Sequence, residues 1–182
     1  MVDTSRFPEL GEVLVSEAEL AATVSELGAR ITTDYDGRRP LLVGVLKGAF
    51  VFMADLARAI GISTQVDFMA ISSYGPSTTS SGVVRIVKDL DTDIAGRHVI
   101  LVEDIVDSGL TMNYVRELLL GRSPASLEIC ALLVRETVEH VDLATLRYLG
   151  RTIPDDWVVG YGLDCAQEWR NLRDVRVWQG PK

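Results

Sequence analysis

Cysteine and histidine are scarce in this chain, with two of each in 182 residues. Cys130 and Cys165 are too few for a disulfide framework, and Cys130 sits inside an apolar run where a buried thiol is expected. His98 and His140 stand apart from each other, so a histidine metal site or a Ser/His catalytic pair has no support. Long apolar runs are missing as well. No stretch approaches the roughly 18–20 residues that a membrane-spanning helix needs, and Asp55 interrupts the richest one. The first ten residues, Met1 to Leu10, lack the basic start and apolar centre of a secretion signal, and the chain is expected to be cytoplasmic. The patterns G-x-S-x-G, H-E-x-x-H, G-x-x-x-x-G-K-[ST] and G-x-G-x-x-G do not occur. Clustered positive charge is absent too. The net charge is −8 with the acids spread along the chain, which argues against an extended nucleic-acid surface.

What is present is the material of a globular protein. Apolar residues make up 47% of the chain, and its length suits a single domain, residues 1–182, with a real core. Ser16 with Glu19 forms a capping-box pattern, and Leu20, Val24, Leu27, Ile31 and Tyr35 follow at helical spacing. Asp36-Gly37 and Pro40 break that helix. Leu41 to Leu46 is an unbroken apolar run, read as a strand buried on both faces, and Ala49 to Ile60 reads as a helix stopped by Gly61. Further strands are predicted over Val66–Ile71, Val83–Val87, Val99–Val102, Leu127–Val134 and Trp157–Leu163, with a helix over Met112–Leu120 ended by Gly121. Strands alternating with helices predict an α/β fold around a central parallel sheet. Ser72 to Gly82 is small, polar and turn-forming apart from Tyr74, too polar to bury itself, and reads as a connector or as a lid over a site.

The chemistry concentrates in Val99 to Thr111, V-I-L-V-E-D-I-V-D-S-G-L-T. A buried strand delivers Glu103 and Asp104 at its exit, then Asp107, a Ser108-Gly109 turn, Leu110, and Thr111 at a helix start. N–H groups at such a turn face an anion, while the carboxylates face hydroxyls and a divalent cation. Adjacent strand residues point to opposite faces, so Glu103 and Asp104 cannot both reach one ligand atom unless the chain turns. Lys47-Gly48 and Asp164 occupy two other predicted strand ends. In an open parallel sheet, ligands bind beyond the carboxyl ends of the strands, where residues distant in sequence would meet.

The string from Val99 to Thr111 resembles the 5-phosphoribosyl-1-pyrophosphate (PRPP) signature of the type I phosphoribosyltransferases. Its flanks resemble the bacterial hypoxanthine-guanine branch, from about Ser16 to about Val177. The resemblance implies a central parallel sheet flanked by helices, a small hood built from the chain ends, and a flexible loop carrying Ser73 and Tyr74 that closes over the site. It implies Mg²⁺ as cofactor, held by Glu103, Asp104 and Asp164, and a 5′-phosphate loop formed by Asp107, Ser108, Gly109, Leu110 and Thr111. Asp107 would be general base toward N7 of the purine. L-K-G-A-F resembles the family's pyrophosphate loop, which implies a cis bond between Leu46 and Lys47 and a pyrophosphate site made of Lys47, Gly48 and Arg170. Trp157 would stack on the purine, Val158 would read its edge, and Asp164 would sit nearby.

One position departs from the family. After the run A-L-L-V, relatives carry a lysine that donates to the purine 6-oxo group, and this chain has Arg135. A 6-oxopurine is still expected over adenine, while the ranking of hypoxanthine, guanine and xanthine is left open. Cys165 and Arg151 also depart, without a functional account from sequence. The expected activity is transfer of the phosphoribosyl group of PRPP to hypoxanthine or guanine, in a homodimer or homotetramer. The alternatives are a xanthine-preferring transferase, or a regulator that binds PRPP or nucleotide on the same fold.

Overall fold

The computed structural model describes residues 2–73, 84–138 and 145–181. The capping box forms as predicted: Glu19 N–H donates to Ser16 Oγ at 3.3 Å, and Ser16 N–H donates to Glu19 Oε2 at 2.9 Å. It starts α1, Glu17–Asp34, after a short strand β1, Leu10–Val15. β2 (Leu41–Leu46), α2 (Phe50–Ala59), β3 (Gln65–Ser73), β4 (Val84–Lys88), β5 (His98–Val106), α3 (Leu110–Leu120) and β6 (Ser126–Arg135) follow. The chain closes with β7 (Tyr148–Ile153), β8 (Val158–Val159) and β9 (Val175–Trp178). Among the described residues, no helix is long and apolar enough to cross a membrane.

The main sheet has six strands in the order β4-β3-β2-β5-β6-β7, all parallel except the antiparallel edge strand β4. Its central strands are apolar on both faces because helices cover both. Leu42, Ile100, Val102 and Leu132 pack with Leu20, Val24, Leu27, Phe52 and Leu56 of α1 and α2. Leu41, Val43, Val99, Leu101 and Ile129 pack with Met112, Val115 and Leu119 of α3. Each such side chain contributes about 1.5–3 kcal/mol on full burial. Phe52 is fully buried in this core, whereas Phe50, one residue pair earlier on α2, is 44% exposed.

A second sheet, β1-β9-β8, is antiparallel and joins the two ends of the chain. It is the hood that the family resemblance implied. Other expectations need correction. The strand predicted over Trp157–Leu163 reduces to Val158–Val159. Gly160, Tyr161 and Gly162 take positive φ, and Gly160 and Leu163 exchange backbone hydrogen bonds across a tight turn. β5 runs on to Val106, pairing with Ala131, Leu133 and Val134 of β6, so Glu103 and Asp104 lie within the ladder and not beyond it. The sequence reading missed β7, in which Arg151 donates to Glu19 Oε1 at 3.1 Å and ties the sheet edge to the capping box. Cys165 is buried beneath the hood with Leu10, Val159 and Leu172, which gives that departure a packing role. Ser73 ends β3, and Tyr74 with the rest of the expected lid through Gly82 lies outside the described residues.

Asp34 closes α1 onto β7. Its Oδ2 accepts from Tyr148 Oη at 2.8 Å and from Arg147 Nη2 at 3.0 Å, and the Tyr148 bond chiefly holds this carboxyl below its ordinary range. Asp34→Ala is expected to cost about 1–2 kcal/mol, allowing for the solvent that reaches Arg147. A carboxyl lowered in the folded state stabilises fully above its unfolded value of about 4 and loses that contribution as pH falls through the folded value. Urea unfolding curves of wild type and variant should therefore differ at neutral pH and converge in acid; a gap independent of pH would remove the ionic part of the account.

Candidate active site

The carboxyl ends of β2, β5 and β6 open into a cavity of about 300 Å³ closed on its other side by residues 157–170. β2 ends in a cis peptide between Leu46 and Lys47. Gly48 follows, and a Cβ placed there would overlap the Asp104 carboxylate, so the loop after β2 lies directly against β5. A second cavity of about 190 Å³ lies along Glu103, Asp107, Ser108, Gly109 and Thr111. Gly109 sits at φ 79° as the N-cap of α3, with no side chain capping that helix and no acid in its first turn. The free N–H groups of the turn can therefore take an external anion.

Glu103 and Asp104 face different cavities, as neighbours in an extended strand must. Burial pushes the Glu103 carboxyl well above the usual range, and the Asp104 charge adds to the rise. Burial also pushes Asp104 up to about 6, against the backbone N–H bonds and the Arg170 charge that pull it down. Desolvated carboxyls side by side are the groups a hard cation would relieve. Among the described residues no three His, Cys, Asp or Glu side chains gather as a ready metal cage. The expected trio Glu103, Asp104 and Asp164 is thus not a closed site, because the strand splits the first pair and Asp164 is engaged elsewhere. The donor set suits Mg²⁺, which keeps several waters and binds through one or two carboxylates plus substrate oxygens.

Arg135, the last residue of β6, is buried and held at both ends. Its Nε donates to Asp107 Oδ1 at 2.5 Å, and its Nη1 donates to the Asp156 carbonyl at 2.6 Å and reaches the Pro154 carbonyl at 3.5 Å. It therefore links the loop after β5 to the segment carrying Trp157 and Val158. Trp157 is 42% exposed beside the cavity and Val158 is buried.

The opposite wall is ionic. Arg170 pairs with Asp164 Oδ1 at 2.7 Å and donates to the Gly162 carbonyl at 2.7 Å. Lys47 Nζ donates to Gln167 Oε1 at 2.9 Å, and Arg170 Nη2 reaches the same oxygen at 3.4 Å. Gln167 was absent from the sequence reading. Only its place three residues from both Asp164 and Arg170 could have drawn attention, and a neutral amide carries no motif. The structure thus gathers Lys47, Gly48, Asp104, Asp107, Arg135, Trp157, Val158, Asp164 and Arg170 at one cavity, with Glu103, Ser108, Gly109 and Thr111 at its neighbour. Leu110 is exposed at the start of α3, and its side chain lines neither cavity.

A mostly parallel sheet with an antiparallel hood, a glycine-capped turn at a helix start and two adjacent buried carboxyls facing separate cavities define an α/β protein with its site beyond the strand ends. The phosphoribosyl transferase domain family matches residues 14–165, and the chain belongs to that family. It is 48% identical to a hypoxanthine-guanine phosphoribosyltransferase of Mycobacterium tuberculosis over 94% of this chain and 90% of the relative. It is likewise 48% identical to one of Bacillus subtilis, over 93% of each. Among solved structures, a hypoxanthine phosphoribosyltransferase of Staphylococcus aureus superposes with a TM-score of 0.91 at 39% identity, covering 98% of this chain and 96% of that one.

Proposed function

We propose that this chain, working as one phosphoribosyltransferase domain, transfers the 5-phosphoribosyl group of PRPP to N9 of hypoxanthine or guanine. The observation that carries this reading is the single cavity in which Asp107 and Arg135 on one wall face Lys47 and Arg170 on the other. N9 of the purine bonds to C1′ as the bond from C1′ to the pyrophosphate oxygen breaks. Asp107 takes the proton released at N7, and the departing pyrophosphate carries away the electron pair beside Lys47 and Arg170. Glu103 and Asp104 serve the ribose hydroxyls and, with Asp164, Mg²⁺ through water. That ion, when bound, neutralises pyrophosphate oxygens. The turn from Asp107 to Thr111 takes the 5′-phosphate.

Base choice follows from the wall that Arg135 and Asp107 share. A donor beside an acceptor complements the 6-oxo group and N7–H of a 6-oxopurine, while adenine would set an amino donor against the guanidinium. The relatives named for hypoxanthine and guanine support this reading. An activity panel with PRPP, Mg²⁺ and hypoxanthine, guanine, xanthine or adenine tests it. Turnover of hypoxanthine or guanine at least a hundredfold above adenine is expected. Xanthine as the best substrate would shift the assignment, and no turnover of any base would end it. The two unpaired thiols favour a reducing cytoplasmic setting. A homo-oligomer, checked by light scattering, would use the apolar groove of about 620 Å³ between α1, α2 and residues 170–173, where Phe50 is exposed.

A further inference from the structure

We propose that Gln167 is a positioning residue of the pyrophosphate site: a neutral latch that holds Lys47 and Arg170 together until an anion displaces it. The inference rests on the reading that these two cations receive pyrophosphate. Its own basis is the geometry of one amide. Gln167 Oε1 accepts from Lys47 Nζ at 2.9 Å and from Arg170 Nη2 at 3.4 Å, joining residues 120 apart in sequence. Its backbone N–H donates to Asp164 Oδ2 at 2.8 Å, and its Nε2 lies 3.4 Å from the same oxygen. Asp164 in turn pairs with Arg170. The amide is thus fixed from behind while its oxygen points at both cations.

The backbone is shaped for this placement. Ala166, Gln167 and Trp169 all have positive φ, at 52°, 70° and 74°. Non-glycine residues in this region are uncommon and cost energy, so three within four residues mark a turn that its surroundings enforce. The turn brings a side chain with no net charge between a lysine and an arginine that would otherwise repel one another.

Neutrality is what makes the latch work. A hydrogen bond from a cation to an amide oxygen lacks the attraction between two full charges that an ionised oxygen adds. Gln167 can therefore keep the cations at a common point and still give way to a diphosphate oxygen arriving there. A carboxylate in its place would form full ion pairs with both and compete with the substrate. A small apolar side chain would let the cations separate, so that the arriving anion would have to reassemble them.

The test compares wild type, Gln167→Glu and Gln167→Ala, with Mg²⁺ present, by steady-state kinetics and by calorimetric titration with inorganic pyrophosphate. Gln167→Glu is expected to raise the KM for PRPP and the Kd for pyrophosphate about tenfold, and Gln167→Ala about threefold. The KM for hypoxanthine should stay within twofold in both, which a general loss of structure would not allow. A pyrophosphate Kd for Gln167→Glu within twofold of wild type would overturn the proposal. So would a hypoxanthine KM rising in step with that for PRPP, or a wild type that binds no pyrophosphate. Titration needs no turnover, so absent transferase activity with intact pyrophosphate binding would count against the proposed reaction and leave the latch standing.

Discussion

Asp107→Asn is expected to lower kcat by about a hundredfold to a thousandfold while changing PRPP binding less than threefold, the range for loss of one general base. Asparagine has nearly the shape of aspartate and keeps an oxygen for Arg135 Nε, which now donates to Asp107 Oδ1 at 2.5 Å. The clamp from Arg135 to the Asp156 carbonyl can stay in place, since it uses a different nitrogen. What the amide cannot do is take the proton that leaves N7. The proposed PRPP contacts are the backbone of the same turn and the opposite wall, neither of which the substitution touches. Single-turnover rates with saturating PRPP, set beside its dissociation constant, separate the two. Equal losses in rate and PRPP affinity would assign Asp107 to binding alone.

Arg135 fixes where this aspartate stands. A lysine would bring a mobile point charge, whereas the guanidinium spends separate nitrogens on Asp107 and on the carbonyls of Pro154 and Asp156. The carboxylate is 71% exposed and would otherwise be free to turn into solvent. Asp107, the proposed base, and the segment carrying Trp157 are therefore held in register, and preorganisation of this kind lowers the cost of reaching a transition state.

The sequence revealed most where local pattern and tertiary environment agree. The capping box at Ser16, the doubly buried runs of β2, β5 and β6, and the glycine turn before α3 are each specified by residues close together in the chain. Of the hood strands, β8 was read as part of a longer run, while β1 and β9 were not legible one by one. β1 holds Gly11 and Glu12 and β9 holds Arg176, and each is a strand because the other end of the chain supplies its partner. β7 was hidden for the same reason: Gly150 and Arg151 interrupt its pattern, and β6 fixes it. The ionic wall shows the limit more sharply. Lys47 and Arg170 were found by family resemblance, but the amide between them belongs to no motif, and its importance comes from a turn with three left-handed residues.

Gly48→Ala should be the most damaging single-methyl change in the site. A Cβ at this position would lie inside the Asp104 carboxylate, so either that side chain or the loop must move. Asp104 has little room, because the flanking residues Glu103 and Ile105 are paired to Ala131 and Leu133 of β6. The loop has little either, because the Gly48 carbonyl lies so close to Gly162 that a Cβ there would also collide. The added methyl is squeezed between a sheet strand and a tight turn, and overpacking of this kind costs about 1–3 kcal/mol of stability. Function should suffer more than stability. The displaced groups are the carboxylate proposed to serve ribose and the loop proposed to hold pyrophosphate, and a shift of about 1 Å at such a site can cost a hundredfold in rate. The expected result is therefore kcat/KM for PRPP reduced a hundredfold or more in a protein that still unfolds cooperatively, a few degrees below wild type. A variant with kcat/KM within threefold of wild type would mean that Asp104 can swing aside without loss, and would remove it from the proposed site.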